Sequence, residues 1–358
     1  MQMKKWFFPA ARRILFLVAL LGSIVWLGFV MQPQDSALTA FPNSVTFREF
    51  YELEPNTVDV LFFGSSVGVT AFSPMELYNN YGITSYNLSS EEQSLPVSYF
   101  WLQEALRTQH PKVVMVEPFF LFSYHGYYYD PLNTSETSVR QSMDPMKWSP
   151  VKINAIREIC ELDETYNALS YFFPIIRYHD RWKYINLEEL SQKNERGLMG
   201  YSPGFKTHVK GVTYEPFERL YDTKLEAQPV MMQYLTRMAE LCREEKINFV
   251  VVKTPATAHI LEKNNTIHEF TDQYGGDFID FNESEVYYDG LDYWYEDDNS
   301  DAEHTNHWGA VKVMDYLGNY LVEECGLEPH EDEQWASLDE PYQQRIEAGE
   351  EAALNEEE

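Results

Sequence analysis

Residues 58–63, Val-Asp-Val-Leu-Phe-Phe, form an almost unbroken apolar run that stops at Gly64, Ser65 and Ser66. A run of that length suits a strand buried on both faces, the habit of parallel sheets. Parallel strands need long crossovers, usually helical, so this short stretch already points to an α/β layout. In open α/β sheets the chemistry lies beyond the carboxyl ends of the strands. A serine on a tight turn at that point is a candidate nucleophile, although Gly-Ser-Ser after a strand also serves as an ordinary turn.

The rest of the chain keeps this rhythm. Further strands are expected at residues 83–88, 112–116, 247–253 and 278–280. Helical patterns are expected at 47–53 (with Thr46 as cap), 74–81, 97–108, 150–160, 169–184, 227–246, 266–274 and 311–325. Such alternation predicts a parallel sheet with right-handed crossovers. Residues 119–221 break the rhythm; their wealth of Tyr, Phe and Trp suggests an insertion on top of the sheet. The aromatic cluster at 124–129 has the composition either to stack on sugar rings or to pack the insertion's own small core.

Residues 14–31 carry no charge and, at 1.5 Å per residue, extend for about 27 Å, just enough to cross a bilayer. Lys4, Lys5, Arg12 and Arg13 precede this run, and the next charge after it is Asp35. The positive-inside rule therefore predicts a cytoplasmic stub and an anchor within residues 1–31, with the remainder outside. A cleaved signal peptide is the competing reading, but the run is long for one and no clean Ala-x-Ala follows. Residues 32–57 then read as a connector, 58–326 as one large domain holding the 119–221 insertion, and 327–358 as a tail. From Glu328 to Glu358 the tail has twelve acidic residues and one Arg, which predicts a solvated, disordered segment. The net charge of −30 argues against nucleic acid and against an anionic-lipid-binding face. The three cysteines, Cys160, Cys242 and Cys325, are too scattered for a disulfide framework or a metal site and suit inert thiols.

A serine hydroxyl needs a base within hydrogen-bond reach, and a base histidine needs an acceptor that sets its tautomer. Residues 298–310, Asp-Asn-Ser-Asp-Ala-Glu-His-Thr-Asn-His-Trp-Gly-Ala, can supply both just before the closing helix. Asp301 would orient His304, and His304 would take the Ser66 proton. Asp-x-x-His pairs are common in loops, so this pairing gains its force from the serine turn. Asp297, Asn299 and Asp301 have calcium-loop spacing, but Ala302 replaces the turn glycine and Trp308 stands at the twelfth position. His304 and His307 lack further partners for zinc, and no cofactor or metal is expected. His179 is expected to be a hydrogen-bonded structural histidine.

Taken together, Phe-Phe-Gly-Ser-Ser and Asp-x-x-His-x-Asn-x-x-Gly-Ala resemble the two ends of the SGNH (GDSL-like) hydrolase superfamily. Gly64-Ser65-Ser66 stands where that family has Gly-Asp-Ser, and Asp301 with His304 matches its C-terminal Asp-x-x-His. The likeness runs from about residue 58 to 324 and is nearer to the membrane-anchored branch of teichoic-acid D-alanyl transfer and alginate O-acetylation proteins. It implies a three-layer α/β/α, flavodoxin-like sandwich with a Ser66–His304–Asp301 triad. It also implies oxyanion and substrate-binding positions at Asn87, Ser89 and Glu117, with the Ser66 and Ser89 amides as donors. The sequence departs from the family twice. Asn87-Leu88-Ser89-Ser90 has no glycine, and Glu117-Pro118-Phe119 replaces the Gly-x-Asn-Asp block.

The leading expectation from the resemblance is an extracytoplasmic O-acyltransferase moving acetyl groups onto a cell-surface polysaccharide. A membrane-bound O-acyltransferase would be the partner that supplies the acyl group. A carbohydrate esterase with the same residues and a catalytically silent envelope-assembly protein are the alternatives.

Overall fold

The computed structural model describes residues 3–33, 44–122, 131–185, 189, 198–207, 224–256, 261–283 and 285–357. In chain order its elements are α1 (Met3–Met31), α2 (Ser44–Phe50), β1 (Val60–Phe63), α3 (Ser66–Ala71), α4 (Pro74–Tyr81), β2 (Ser85–Asn87), α5 (Leu95–Ala105) and β3 (Val113–Val116). There follow α6 (Glu136–Met143), α7 (Pro150–Leu162), α8 (Ala168–Phe172), α9 (Ile175–Tyr178), α10 (Pro229–Glu245), β4 (Asn248–Lys253), α11 (Leu261–Tyr274) and β5 (Asp277–Asp280). The chain closes with α12 (Tyr295–Asp298), α13 (His307–Glu323), α14 (Glu333–Ala336) and α15 (Asp339–Glu357). It divides into two compact units, residues 1–42 with 156–195, and residues 43–155 with 196–358.

The larger unit is the expected α/β domain. Its five strands are all parallel, in the order β2-β1-β3-β4-β5. This is a doubly wound order, whose switch point falls between β1 and β3. Val60 and Phe62, Val113 and Met115, and Val250 and Val252 alternate onto one face, where Val313, Met314, Leu317 and Leu321 of α13 cover them. The intervening Leu61, Phe63, Val114, Val116 and Val251 are buried as well, so both faces are covered. On the register, Phe63 pairs with Val116, Val116 with Val251 and Lys253 with Asp280. Gly64, Glu117 and Lys253 thus lie at one edge of the sheet.

Four expectations need correction. The tail is not disordered: Asp332 caps α14 by accepting from the amides of Gln334 and Trp335. Trp335, Leu338, Tyr342 and Ile346 are buried, and Trp335 Nε1 donates to the carbonyl of Ser85 on edge strand β2. A few large apolar side chains at helical spacing outweigh the acidic surroundings, which simply face solvent. Residues 44–50 of the connector likewise belong to the core, with Phe47 stacked on Trp101 at a centroid distance of 4.6 Å.

The 119–221 stretch is not one insertion, because residues 156–195 group with the N-terminal helix. Within it the single helix expected at 169–184 breaks into α8, α9 and a 3₁₀ turn at His179–Lys183. Pro174 is the cause, since it lacks an N–H and disfavours helical backbone at Phe173. His179 bonds its own turn, Nδ1 to the Ile176 carbonyl, but is exposed. The cluster at 124–129 lies outside the described residues. None of the three cysteines forms a disulfide; Cys242 is buried, and Cys160 and Cys325 are partly so.

Candidate active site

β1 delivers Ser65 and Ser66 to the carboxyl edge of the sheet. Ser65 is the N-cap of α3, accepting from the Val67 amide, and Ser66 is its first helical residue. That position leaves the Ser66 N–H without an acceptor inside the helix. A Cβ on Gly64 would lie 2.8 Å from Glu117 Cβ, and one on Gly68 would lie 2.7 Å from Ser89 Oγ. Only residues without side chains fit there, so both glycines let the β2 and β3 ends close on the serine turn.

The other half of the site comes from the loop between α12 and α13. Asn299 bridges to Thr305, and the Ser300 amide donates to the His304 carbonyl at 2.8 Å. Tyr295 Oη donates to the Asp301 carbonyl at 2.9 Å, and Asn306 caps α13 by accepting from the Gly309 amide. Gly309 is obligatory in this arrangement: a Cβ there would lie 2.1 Å from the Asp298 carbonyl oxygen. The loop is therefore held at both ends.

The two halves meet. His304 Nε2 lies 2.9 Å from Ser66 Oγ, and His304 Nδ1 lies 2.9 and 3.0 Å from the two Asp301 oxygens. With Nδ1–H donated to Asp301, Nε2 accepts from the Ser66 hydroxyl. Burial works to raise the Asp301 carboxyl, but hydrogen bonds from the His304 ring and from the Glu303 and His304 amides outweigh it and hold the group at about 2. Burial opposes the charged form of His304, yet the Asp301 hydrogen bond and charge, with Glu303 and Glu117 adding to them, raise its pKa above the ordinary value. A serine, a base and a fixed carboxylate in this order can pass a proton during attack on a carbonyl.

No family model matches this chain, and no curated protein matches it either.

Asn87, Ser89 and Glu117 are placed differently from the expectation, and each is a correction. Asn87 Nδ2 donates to the carbonyls of Gly68 and Phe72, both at 2.9 Å, and its Oδ1 accepts the Ser89 amide at 3.1 Å. Asn87 thus straps α3 to β2, and the Ser89 amide is not a free oxyanion donor. The Ser89 side chain is wholly buried. Glu117 is buried too, accepting from Ser65 Oγ at 3.1 Å instead of facing a substrate. Burial pushes its carboxyl up to about 7 against the opposing pull of Lys253 and of hydrogen bonds from Ser65 and the Phe119 amide.

Two residues that the sequence reading gave no role lie beside the site. Lys253, buried at the end of β4, is a cation near both Glu117 and Glu303, and Lys263 also acts on Glu303. Glu303, whose carboxyl burial pushes upward, adds negative charge beside His304. The signal was present in Lys253 ending an otherwise apolar strand, a costly place for a charge without partners. His307, weighed as a metal ligand, accepts or donates through Nδ1 to Tyr201 Oη at 3.1 Å, a structural contact. Among the described residues, His268, Asp280 and Glu283 are grouped closely enough to hold a metal. Their atoms are already engaged, His268 with Glu283 at 3.1 Å and Asp280 with Asn264 and Asn282.

Proposed function

We propose that this chain is a membrane-anchored serine acyltransferase acting outside the cytoplasm, with an O-acetyl group moved onto a cell-surface polysaccharide as the most economical case. The observation that carries the reading is His304, bridging Ser66 and Asp301 at hydrogen-bond distance on both ring nitrogens. The strand order and the position of Ser66 beyond β1 agree with the flavodoxin-like SGNH layout that the two motifs resemble.

In the first half-reaction Ser66 Oγ attacks the acyl carbonyl carbon, and its proton passes to His304 Nε2. The carbonyl electron pair becomes an oxyanion facing the Ser66 N–H. The bond to the leaving group then breaks, and the leaving group takes the proton from His304. In the second half an acceptor hydroxyl attacks the same carbon, His304 takes its proton, and Ser66 leaves and recovers it. Asp301 keeps its charge throughout and holds the imidazole. With the Ser89 amide committed to Asn87, the oxyanion has a thin set of donors, and one missing donor costs about 10²–10³ in rate. That loss slows attack by water and by a sugar hydroxyl alike, so transfer prevails through the proximity of a bound acceptor.

The segment Ala11–Met31 supports the anchor, being long and apolar enough to span a bilayer, with Arg12 and Arg13 at its start on the cytoplasmic side. A membrane-bound O-acyltransferase would bring the acyl group across. The test is fluorophosphonate labelling of the full chain in detergent, with the modified residue mapped by mass spectrometry. Labelling at Ser66 that Ser66→Ala and His304→Ala both abolish is expected. No labelling of the folded protein would overturn the reading and leave a silent assembly protein. Brisk release of acetate from aryl acetates without transfer to any oligosaccharide would make it an esterase.

A further inference from the structure

The smaller unit contains something that an anchor alone does not need. Its helix α1 is packed by α9 and by the 3₁₀ turn His179–Lys183. The approach is close: a Cβ at Gly28 would lie 3.3 Å from the Ile175 nitrogen and 3.4 Å from Pro174 Cδ. Arg181 fastens the same place, its Nη1 donating to the Met31 carbonyl at 2.7 Å. Its Nη2 donates to both Glu189 oxygens at 2.8 and 3.0 Å. A guanidinium on the last carbonyl of a helix satisfies an orphan acceptor and complements the helix dipole.

This packing fixes a depth. Gly28 precedes Met31, the end of the apolar span, by three residues, about 4.5 Å along the helix axis. With α1 as a membrane span, Pro174 and Ile175 would sit where hydrocarbon gives way to headgroups. The short elements around them expose large apolar side chains: Phe172 is 44% exposed, Ile176 42%, Trp182 64% and Tyr184 77%. Among them stand Asp180 and Lys183, paired at 2.6 Å, and the exposed ring of His179. Apolar and aromatic side chains mixed with charge, at that depth, have the composition of a membrane-interface belt.

We propose that residues 168–184 form an interfacial collar around the outer end of α1, with Phe172, Ile176, Trp182 and Tyr184 seated in the headgroup region of the outer leaflet. The occupant of this surface is lipid, because the collar is continuous with the one segment among the described residues that is long and apolar enough to cross a bilayer. The inference rests on α1 being a membrane span. It is independent of the chemistry at Ser66. Its consequence is mechanical: the collar sets the tilt and height of α1, and Arg181 transmits that setting to the chain leaving the membrane.

The experiment uses the full-length protein in nanodiscs of equimolar phosphatidylcholine and phosphatidylglycerol, with and without bromine on the acyl chains. A solvatochromic amino acid replaces Ile176 or Trp182, with Leu21 as the in-membrane control and exposed Asp272 as the aqueous control. Ile176, Trp182 and Leu21 are likewise exposed, so the replacements leave the packing intact. Brominated lipid is expected to quench positions 176 and 182, less than position 21 but well above position 272. Quenching at 21 with none at 176 and 182 would overturn the collar alone and leave this face to a protein partner. No quenching at 21 would overturn the span and the collar together.

Discussion

Ser65 and Glu117 are joined by a buried 3.1 Å hydrogen bond, one residue before the serine that meets His304. The bond ties the end of β1 to the end of β3 across the switch point, and so sets the position of Ser66. It also stores a charge problem. A carboxyl pushed up to about 7 is protonated in the folded protein where the unfolded chain has already lost its proton. Stability from this group is therefore highest below the unfolded value near 4.5, falls as pH rises to about 7, and is lost above it. Glu117→Gln should remove that slope. At pH near 8 the variant gains up to about 3 kcal/mol, less the weaker bond from Ser65. Melting temperatures of wild type and variant across this pH range check it; parallel curves would refute it.

On the proposed reading Asp301 acts through His304. Asp301→Asn removes the charge that keeps the imidazole pKa above its ordinary value and no longer fixes the tautomer. Fluorophosphonate labelling of Ser66 needs neutral His304, so its rate rises as pH climbs through the raised His304 value. In the variant the rising limb should move to lower pH while the plateau rate falls on the order of 10³–10⁴-fold. A pH-rate series on both proteins reads the two effects separately.

Asn87 holds the backbone beside the serine turn, and Ser89 supplies the control. Its hydroxyl is fully buried and its amide is held by Asn87. Ser89→Ala should label at Ser66 at the wild-type rate, with stability within about 1 kcal/mol. Asn87→Ala should instead free the Gly68 and Phe72 carbonyls, cost about 1–3 kcal/mol for the groups left unsatisfied, and slow labelling. Ser89→Ala keeps its backbone amide, so melting curves and labelling rates on the two variants isolate what the Asn87 strap contributes.

Gly309 carries the loop of Asp301 and His304. Gly309→Ala puts a methyl group against the Asp298 carbonyl. The expected cost is about 1–3 kcal/mol, with labelling reduced more than the lost stability accounts for. Gly326, whose Cβ position is open but whose φ is +66°, makes a comparison in which Ala costs stability and leaves labelling unchanged.

The acidic tail is part of the domain. Trp335→Ala should cost about 3–5 kcal/mol, as for other large buried side chains, and should expose the edge of β2. Hydrogen exchange at residues 333–346 reads this directly, since a disordered tail would show no protection in the wild type either.

What could be read without coordinates follows from local rules. Apolar runs such as 113–116 and 248–253 sit on both faces of a sheet and must be strands, and the periodic segments between them must be helices. Ser66, Asp301 and His304 were legible as candidates for a similar reason, because a serine at a strand end and an Asp-x-x-His loop are each local patterns. Asn87, Ser89 and Glu117 were misplaced because a polar residue near a catalytic motif looks the same whether it faces substrate or fastens the backbone. Only its partners decide, and they lie far away in sequence: Gly68 for Asn87, Ser65 for Glu117.

The sequence by itself determined the parallel α/β domain, the apolar N-terminal helix and the candidate serine, histidine and aspartate. Hydrophobic periodicity and turn chemistry act over a few residues, and each of these features is written in such a window. The tertiary structure decided that His304 reaches Ser66 across 238 positions of chain, that the tail helix buries Trp335 beside β2, and that residues 156–195 attach to α1. Those outcomes depend on which surfaces exclude water together: the helical spacing of Trp335, Leu338, Tyr342 and Ile346 marks an apolar face, but nothing local names the strand it covers.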